Sequence, residues 1–283
     1  MGINPLFQED FFLPIQDKYH AVENRHTHPF YIVAIKGTVY VNLIPLGSPL
    51  LPQQLLSLQV AYQQKGILLV HLWEDVWINK REQVLGRIHS FCGQNRSLHG
   101  RKAKVVEVDV AQAKSFLESH HLQGYIKTKY SLGLMFDGEL AAVACFAASR
   151  PMKSKGEHYK SAELVRFATK AGITIVGGLG KLVKHFLQLV SVNDLMTYAD
   201  RDWSLGKGYD KLGFHFSGTT EPTVFYVDTI TMNRYQSHRL PKKILTAFNE
   251  QNILNLDDFL TQNGFLKVFN TGNLKYHLYT NVG

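Results

Sequence analysis

Apolar positions fall in short blocks along the chain, and the spacing inside each block predicts an element. Phe30–Lys36 and Gly37–Ile44 are apolar runs with strand character, with Gly37 as the punctuation between them. Gln53–Gln64 carries Leu55, Leu56 and Val60 at helical spacing, and Gly66 stops it. The run ILLVHLW that follows reads as a buried strand, and Asn79–Phe91 as a second helix. Further on, the run VVEVDV is a short strand, and Asp109 is placed to cap a helix through Ser115–Ser119. Tyr130–Phe136 and Leu140–Ala148 form a hairpin around Asp137-Gly138, a pair suited to a type I′ turn. Ala162–Thr169 is another strand. Lys181–Val190 is a helix with Leu182, Phe186, Leu187 and Val190 on one face. Leu195–Ala199 is a strand, Gly208–Leu212 a short helix closed by Gly213, and Val224–Val227 a last strand of this stretch. Leu256–Gln262 is helical, and the segment GFLKVFNTGNLKYHLY reads as a C-terminal β-hairpin turning at Asn270-Thr271-Gly272.

Strands alternating with helices after an opening hairpin predict an α/β (α+β) fold, a mixed sheet flanked by helices. Three consecutive segments are expected: 1–100 as a smaller α/β domain, 101–230 as the main domain, and 231–283 as a basic extension that packs on the main domain and ends in the β-hairpin. The polar, glycine-containing stretch Cys92–Lys104 is the expected linker.

Composition changes this picture little. Of 283 residues, 45% are apolar and 19% charged, enough for sizeable cores without staples. Charge adds more. The net charge of +8 fits either a polyanionic partner, such as nucleic acid or a CoA-type nucleotide, or a merely basic surface. Between Trp77 and Lys104, seven Lys and Arg residues face Glu82 alone. Lys80, Arg81, Arg101, Lys102 and Lys104 are the phosphate-contact candidates there, and Arg234, Arg239 and Lys242 those of the basic stretch further on. The two cysteines, Cys92 and Cys145, form no ligand cluster, and Cys145 in the run AAVACFAAS is a core thiol. No secretory pattern opens the chain, and no apolar run approaches the ~20 residues that span a bilayer, so a cytoplasmic protein without membrane contact is expected.

Two constellations carry candidate chemistry. In IVGGLGKL, a strand-like entry meets Gly177, Gly178 and Gly180 and leaves into a helix. Glycines allow close backbone approach, and a helix start offers free N–H groups to a pyrophosphate, with Lys181 as an added cation. A tight strand-to-helix turn explains the same residues. The pattern is neither a Walker loop nor a first-strand dinucleotide fingerprint. In TYADRDWSLGKGYDKLGFHF, Asp200 and Asp202 end a strand, and Tyr209 could protonate a leaving thiolate. Glu163 on a central strand, Asp200 and His121 are candidate bases, with Arg166 placed on the side of Glu163. His120, His121 and Gln123 are pocket-lining candidates. The histidines of His20–His28 read as polar surface in an irregular loop rather than as a metal site, and no metal is expected.

The order of these parts resembles the GNAT acyltransferase superfamily: the hairpin at Asp137-Gly138, then ELVRFAT, the glycine-led helix, LMTYA, and GYDKLGF. The resemblance implies an acetyl-CoA or other acyl-CoA cofactor. Gly178 and Gly180 would be pyrophosphate-loop glycines, Phe167 and Ala168 would offer backbone to the pantetheine arm, and Tyr209 would be the general acid. Ile175 stands where the family usually has Gln or Arg. The stretches from HHLQGYIK through GFLKVFNTGNLKYHL also look like the C-terminal part of phage homing-endonuclease-like proteins. The run YADRDWSLGKGYDKLGF is similar to Mom-type DNA-modification proteins, and KGILLVHLWEDVWINKREQVLGRI resembles the last strand and helix of a very-short-patch-repair-like nuclease. The strands FYIVAIK and TVYVNLI lack the acidic ligands of such a nuclease, and only Glu74 and Asp75 lie nearby. The resemblance therefore implies an acyl-CoA-dependent N-acyltransferase acting on or bound to nucleic acid, DNA more than RNA, with a degenerate nuclease domain. The alternatives are a non-catalytic, nuclease-derived DNA-binding protein of mobile-element origin and, more weakly, a metal-dependent endonuclease.

Overall fold

The computed structural model describes residues 5–19, 22–250 and 255–280. In chain order the elements are α1 (Pro5–Lys18), β1 (Val22–Thr27), β2 (Phe30–Ile35), β3 (Val39–Ile44), α2 (Pro52–Gln64), β4 (Leu68–Trp73) and α3 (Glu74–Phe91). Then come β5 (Arg96–His99), β6 (Lys104–Glu107), α4 (Val110–His120), β7 (Tyr130–Phe136), β8 (Glu139–Phe146), β9 (Arg150–Pro151), β10 (Lys160–Thr169), β11 (Ile173–Val176) and α5 (Gly178–Leu189). They are followed by β12 (Asp194–Asp200), α6 (Lys207–Asp210), β13 (His215–Thr219), β14 (Val224–Asp228), β15 (Arg234–Tyr235), α7 (Lys242–Glu250), α8 (Leu256–Gln262), β16 (Phe265–Phe269) and β17 (Asn273–Tyr279). The fold is mixed α/β. Its compact units do not follow three consecutive segments. One unit comprises Met1–Arg81, Asp200–Ser204 and Glu221–Asn273, and the other comprises Glu82–Ala199, Leu205–Thr220 and Leu274–Gly283.

The first unit holds a four-stranded sheet in the order β1-β2-β3-β4, antiparallel except for the parallel pair β3–β4. Every residue of β3 is buried, the mark of a strand covered on both faces. Ile44, Leu50, Leu55 and Trp73 share one core cluster with Val227, Val268 and Phe269. A second, antiparallel sheet runs β15-β14-β16. Phe259 and Leu260 of α8, with Ile244, Leu245 and Phe248 of α7, form a core cluster with Tyr226 and Phe265 from this sheet. Val22–Thr27, within the stretch expected to be an irregular loop, is an edge strand. Its neighbour His20 lies outside the described residues.

The second unit is built on a mixed sheet in the order β13-β17-β12-β10-β8-β7-β6, with β9 pairing alongside β10. β10 and β12 are parallel, which demands a crossover, and β11 with α5 supplies it. Helix α5 covers one face, where Phe146 stacks on Phe186 with ring centroids 4.2 Å apart. Helix α4 covers part of the other through Ala113, Phe116 and Leu117, which pack on Val143, Cys145 and Ala168. Asp109 caps α4 as expected, accepting from Gln112 N–H at 2.8 Å.

Two expectations are corrected here. The C-terminal hairpin does not form: β16 pairs with β14, whereas β17 pairs with β13 in the other unit's sheet. Glu221–Asn273 leaves the sheet between two strands that pair with each other, which local turn signals cannot reveal. The second correction concerns the expected linker Cys92–Lys104. Its Arg96–His99 is strand β5, paired in parallel with β11, and Gly100–Lys102 is a 3-10 turn.

Candidate functional site

The site grows from one irregularity in β10. Its pairing with β8 shifts register between Leu164 and Arg166, a β-bulge. A bulge bends its strand, and here it coincides with the end of the pairing to β12. The parallel register runs from Ser161 opposite Asp194 to Leu164 opposite Thr197 and then stops. Beyond that point β10 continues to Thr169 and β12 to Asp200, so the two strands diverge into a gap. Thr197 Oγ1 donates to Leu164 O at 3.0 Å across the apex of the gap.

Tyr209 lies at that apex. It follows α6's cap at Gly206, and its hydroxyl hydrogen-bonds to the Thr197 side chain. Its ring packs on Phe214 and Tyr276, with centroids 5.5 and 5.4 Å away. Burial raises the pKa of this phenol, and the Thr197 hydrogen bond and Arg87 oppose the shift only in part. The protonated form is therefore favoured, as a proton donor requires. Gly206 makes the packing possible. Its φ is +73°, and a Cβ there would lie 1.9 Å from Tyr276 Oη.

The other face of the same strands carries Glu163 and, one residue past the apex, Tyr198. Side chains alternate along a strand, so Leu164 and Thr197 point to the α5 side and Glu163 and Tyr198 away from it. Glu163 pairs with Met196 across the sheet. Burial raises the Tyr198 pKa, Glu163 adds to the rise, and Arg150 opposes it. Arg166 stands three residues from Glu163, a spacing that faces the opposite side in a regular strand; with the bulge between them it reaches the α4 end of the sheet. There its Nε donates to Gly124 O at 3.3 Å and its Nη1 to Val165 O at 2.9 Å, tying the loop after α4 to β10. His121, in that loop, caps α4, and its Nδ1 accepts from Gln123 N–H at 3.1 Å.

The glycines at the head of α5 separate into three roles. Gly177, at φ +72°, is the turn itself, and a side chain there would meet nothing within 4 Å. Gly178 is a packing glycine: a Cβ would come within 2.7 Å of Ile175 Cγ2 and 3.0 Å of Leu134 Cδ1. Gly180 allows Leu212 close, 3.1 Å from a Cβ, beside a depression of about 340 Å³ that Val183, Leu187 and Leu278 also line. The first intrahelical bond runs from Lys181 N–H to Gly177 O at 3.1 Å, so the N–H groups of Gly178, Leu179 and Gly180 have no partner within the helix. Ile175 is buried in the core and offers no donor.

Lys181 does not stand where a phosphate cation should. Its Nζ donates to the carbonyls of Gly100 at 3.2 Å, Arg101 at 3.5 Å and Ala103 at 2.5 Å. It pins the 3-10 turn against α5, where Gly100 approaches so closely that a Cβ would lie 2.9 Å from Gly178 N. Arg101, Lys102 and Lys104 around this turn are exposed.

Other candidates are in structural use in the first unit. Asp200 accepts from Asp202 N–H at 3.0 Å, shaping a turn. Asp202 is fully buried and accepts from Thr271 N–H at 3.0 Å and Thr271 Oγ1 at 2.6 Å. Arg234 grips buried Asp75 with two bonds of 2.7 and 2.8 Å, so neither is available as phosphate contact or metal ligand. Glu74 accepts from Leu46 N–H at 3.0 Å. Arg81 pairs with Asp10 at 2.8 Å and lies over Trp77. Arg239 and Lys242 are exposed. Among the described residues no group of three His, Cys, Asp or Glu side chains could hold a metal ion. No helix among them is long and apolar enough to cross a membrane.

Thr197, Tyr198, Arg150 and Gly206 were not anticipated. Thr197 and Tyr198 sit inside the expected strand, where alternation signals a two-faced strand but does not say which face meets a gap. Arg150 carried no sequence signal.

No family model matches the chain, and no curated protein matches it. Among solved structures, an acetyltransferase of Bacillus subtilis in complex with CoA is similar at 15% identity with a TM-score of 0.38, over 63% of this chain and 99% of that one. The ribosomal-protein-S18-alanine N-acetyltransferase of Escherichia coli is similar at 11% identity and a TM-score of 0.36, over 64% and 96%. A GNAT family acetyltransferase of Elizabethkingia anophelis with acetyl-CoA bound is similar at 11% identity and 0.35, over 63% and 99%. The likeness is distant in each case.

Proposed function

We propose that the second unit transfers an acyl group from an acyl-CoA to an amine nitrogen. The observation that carries this reading is the gap beyond Leu164 and Thr197, with the Tyr209 phenol on one face and the Glu163 carboxylate on the other. The turn at Gly177 and the N–H groups of Leu179 and Gly180 at the start of α5 would hold the pyrophosphate, because a helix start offers unpaired donors and partial positive charge. The edge of β10 at Phe167 and Ala168, beyond the end of its pairing with β12, would line the pantetheine arm. Acyl-CoA bound there supplies a thioester carbonyl. Glu163 takes the proton that the attacking amine gives up, and Tyr209 gives its phenolic proton to the departing sulfur. The N–C bond forms as the C–S bond breaks, and solvent returns the proton from Glu163 to Tyr209.

The test is thermal. Acetyl-CoA at about 100 times its Kd should stabilise the protein by about 2.7 kcal/mol. Tyr209→Phe should keep that shift and lose most of the CoA-thiol release. No shift with millimolar acetyl-CoA sinks the reading.

Attachment to nucleic acid, DNA before RNA, is a second reading, favoured by exposed Arg101, Lys102 and Lys104 on one short segment. It predicts duplex binding that weakens steeply with salt. Salt-dependent duplex binding without any acetyl-CoA shift would favour the non-catalytic, nuclease-derived alternative.

A further inference from the structure

The face of the sheet opposite Tyr209 carries an unusual pair of charges. β9 pairs with β10 so that Arg150 stands opposite Ser161, and Glu163 is two residues along on the same face. The guanidinium reaches over the next strand, where Nη2 lies 3.6 Å from Met196 Sδ. Met196 is in turn the partner of Glu163, and Tyr198 follows it on that face. Arg150, Glu163, Met196 and Tyr198 thus form one patch at the apex of the gap. Both Arg150 and Glu163 act electrostatically on the Tyr198 phenol, from opposite directions.

Neighbouring charge on this face is spent elsewhere. Lys155 pairs with buried Asp194 at 2.9 Å, and Asp194 also accepts from Tyr159 Oη at 2.7 Å and from Ser161 Oγ. Among the described residues neither Arg150 nor Glu163 forms an ion pair, although they share the patch. An acid and a guanidinium held apart on one face complement a ligand with charges of both signs. The guanidinium fork suits a planar or tetrahedral oxyanion, and the carboxylate suits an ammonium.

We propose that Arg150 and Glu163 select, as acyl acceptor, an amine that also carries a carboxylate or phosphate group. The proposal rests on the acyltransferase reading above. Glu163 binds the ammonium, takes one proton from it and passes that proton to solvent, and takes the second as the amine attacks; Arg150 holds the anionic group and so orients the nitrogen toward the gap. Arg150 is a specificity residue, and the reacting atoms lie on the Glu163 side of the ligand.

The test uses the full chain, acetyl-CoA and three probe amines: glycine, phosphoethanolamine and ethanolamine. CoA-thiol release is followed for each, beside the acetyl-CoA shift in melting temperature. The expected kcat/KM for at least one anionic amine exceeds that for ethanolamine by about tenfold or more, as a charge-assisted contact of this kind provides. Glycine against phosphoethanolamine tells carboxylate from phosphate. Arg150→Gln should shrink the ratio of anionic to neutral amine toward unity, mainly through a higher KM for the anionic one, and Arg150→Lys should restore part of it. Equal turnover of ethanolamine by the native chain, a ratio that survives Arg150→Gln, or acetyl-CoA binding without turnover of either anionic amine overturns the inference and leaves the acyltransferase reading standing. Absence of the acetyl-CoA shift overturns both.

Discussion

Replacing Asp202 with Asn should add to the stability of the first unit a pH dependence that two opposed buried groups cancel in the native chain. Two fully buried groups in this unit are shifted in opposite directions. Burial and the nearby Asp200 charge push the Asp202 carboxyl from 3.8 up to about 7, against the opposing hydrogen bonds from Thr271. Burial holds the His71 imidazole down at about 4 from an ordinary 6.5. His71 stays neutral, with Nε2 3.1 Å from Leu55 O and Nδ1 3.3 Å from Asn42 Nδ2. A raised folded pKa gives stability that is complete below 3.8 and lost as pH rises through 7; a depressed one gives stability that is complete above 6.5 and lost as pH falls through 4. Between pH 4 and 6.5, the native state therefore keeps its proton on Asp202 and the unfolded chain keeps one on His71. The counts match, and these two groups contribute almost no slope. With Asn at 202 the unfolded chain holds one proton more, so stability should rise by about 1.4 kcal/mol per pH unit, or about 3 kcal/mol across the window. His71→Gln should reverse the sign. All three tryptophans, Trp73, Trp77 and Trp203, belong to the first unit, so tryptophan fluorescence in urea reports on that unit. The observable is the difference between variant and native chain at several pH values inside the window. A difference that does not change with pH would refute the opposed burial of the two groups.

Further outcomes follow from the second unit and from the Asp75 pair. Tyr209→Phe should lower kcat for CoA release by about 100-fold or more if the phenol is the general acid, with the acetyl-CoA shift retained; unchanged kcat in single-turnover kinetics would rule that role out. Gly206→Ala places a Cβ 1.9 Å from Tyr276 Oη at a positive φ, so it should cost more than the ~1 kcal/mol of a left-handed alanine and depress turnover with it, as urea unfolding and kinetics would show. Lys181→Met should speed amide exchange over Arg101–Ala103 while leaving the acetyl-CoA Kd within about twofold, since its ammonium is bound to carbonyls; a Kd raised about tenfold or more would return Lys181 to the phosphate site. Arg234→Met leaves Asp75 buried and unpaired, and should destabilise the first unit by about 3–5 kcal/mol, measurable by tryptophan fluorescence; a loss under about 1 kcal/mol would mean that the pair is not formed.

Much of the candidate site was legible. Gly177 marked a turn because only a left-handed residue can enter α5 so sharply, and Tyr209 stood out beside Gly213-Phe214. Glu163 lay in a run whose apolar neighbours placed it mid-strand. What misled was charge. Lys181 and Arg234 carry the residue type of a phosphate contact, yet one is bound by three carbonyls and the other by a buried carboxylate. A side chain's partner is set by what the fold brings to it, and those partners lie 78 to 159 residues away.

The short-range pattern by itself determined many of the elements, though not β1 or β5: strands by alternation, helix α5 by its apolar face, the hairpin by Asp137-Gly138, the cap of α4 by Asp109. Each depends on neighbours within one turn or one pleat, which the sequence contains in full. Only the tertiary structure decided how the elements associate. β16 and β17 are separated by a good turn, yet each finds its partner in a different sheet, because the apolar faces of Val268 and Tyr276 are buried in different cores. The bulge after Leu164 likewise has no local signature, and it coincides with the point where the pairing of β10 with β12 ends and the proposed chemistry sits.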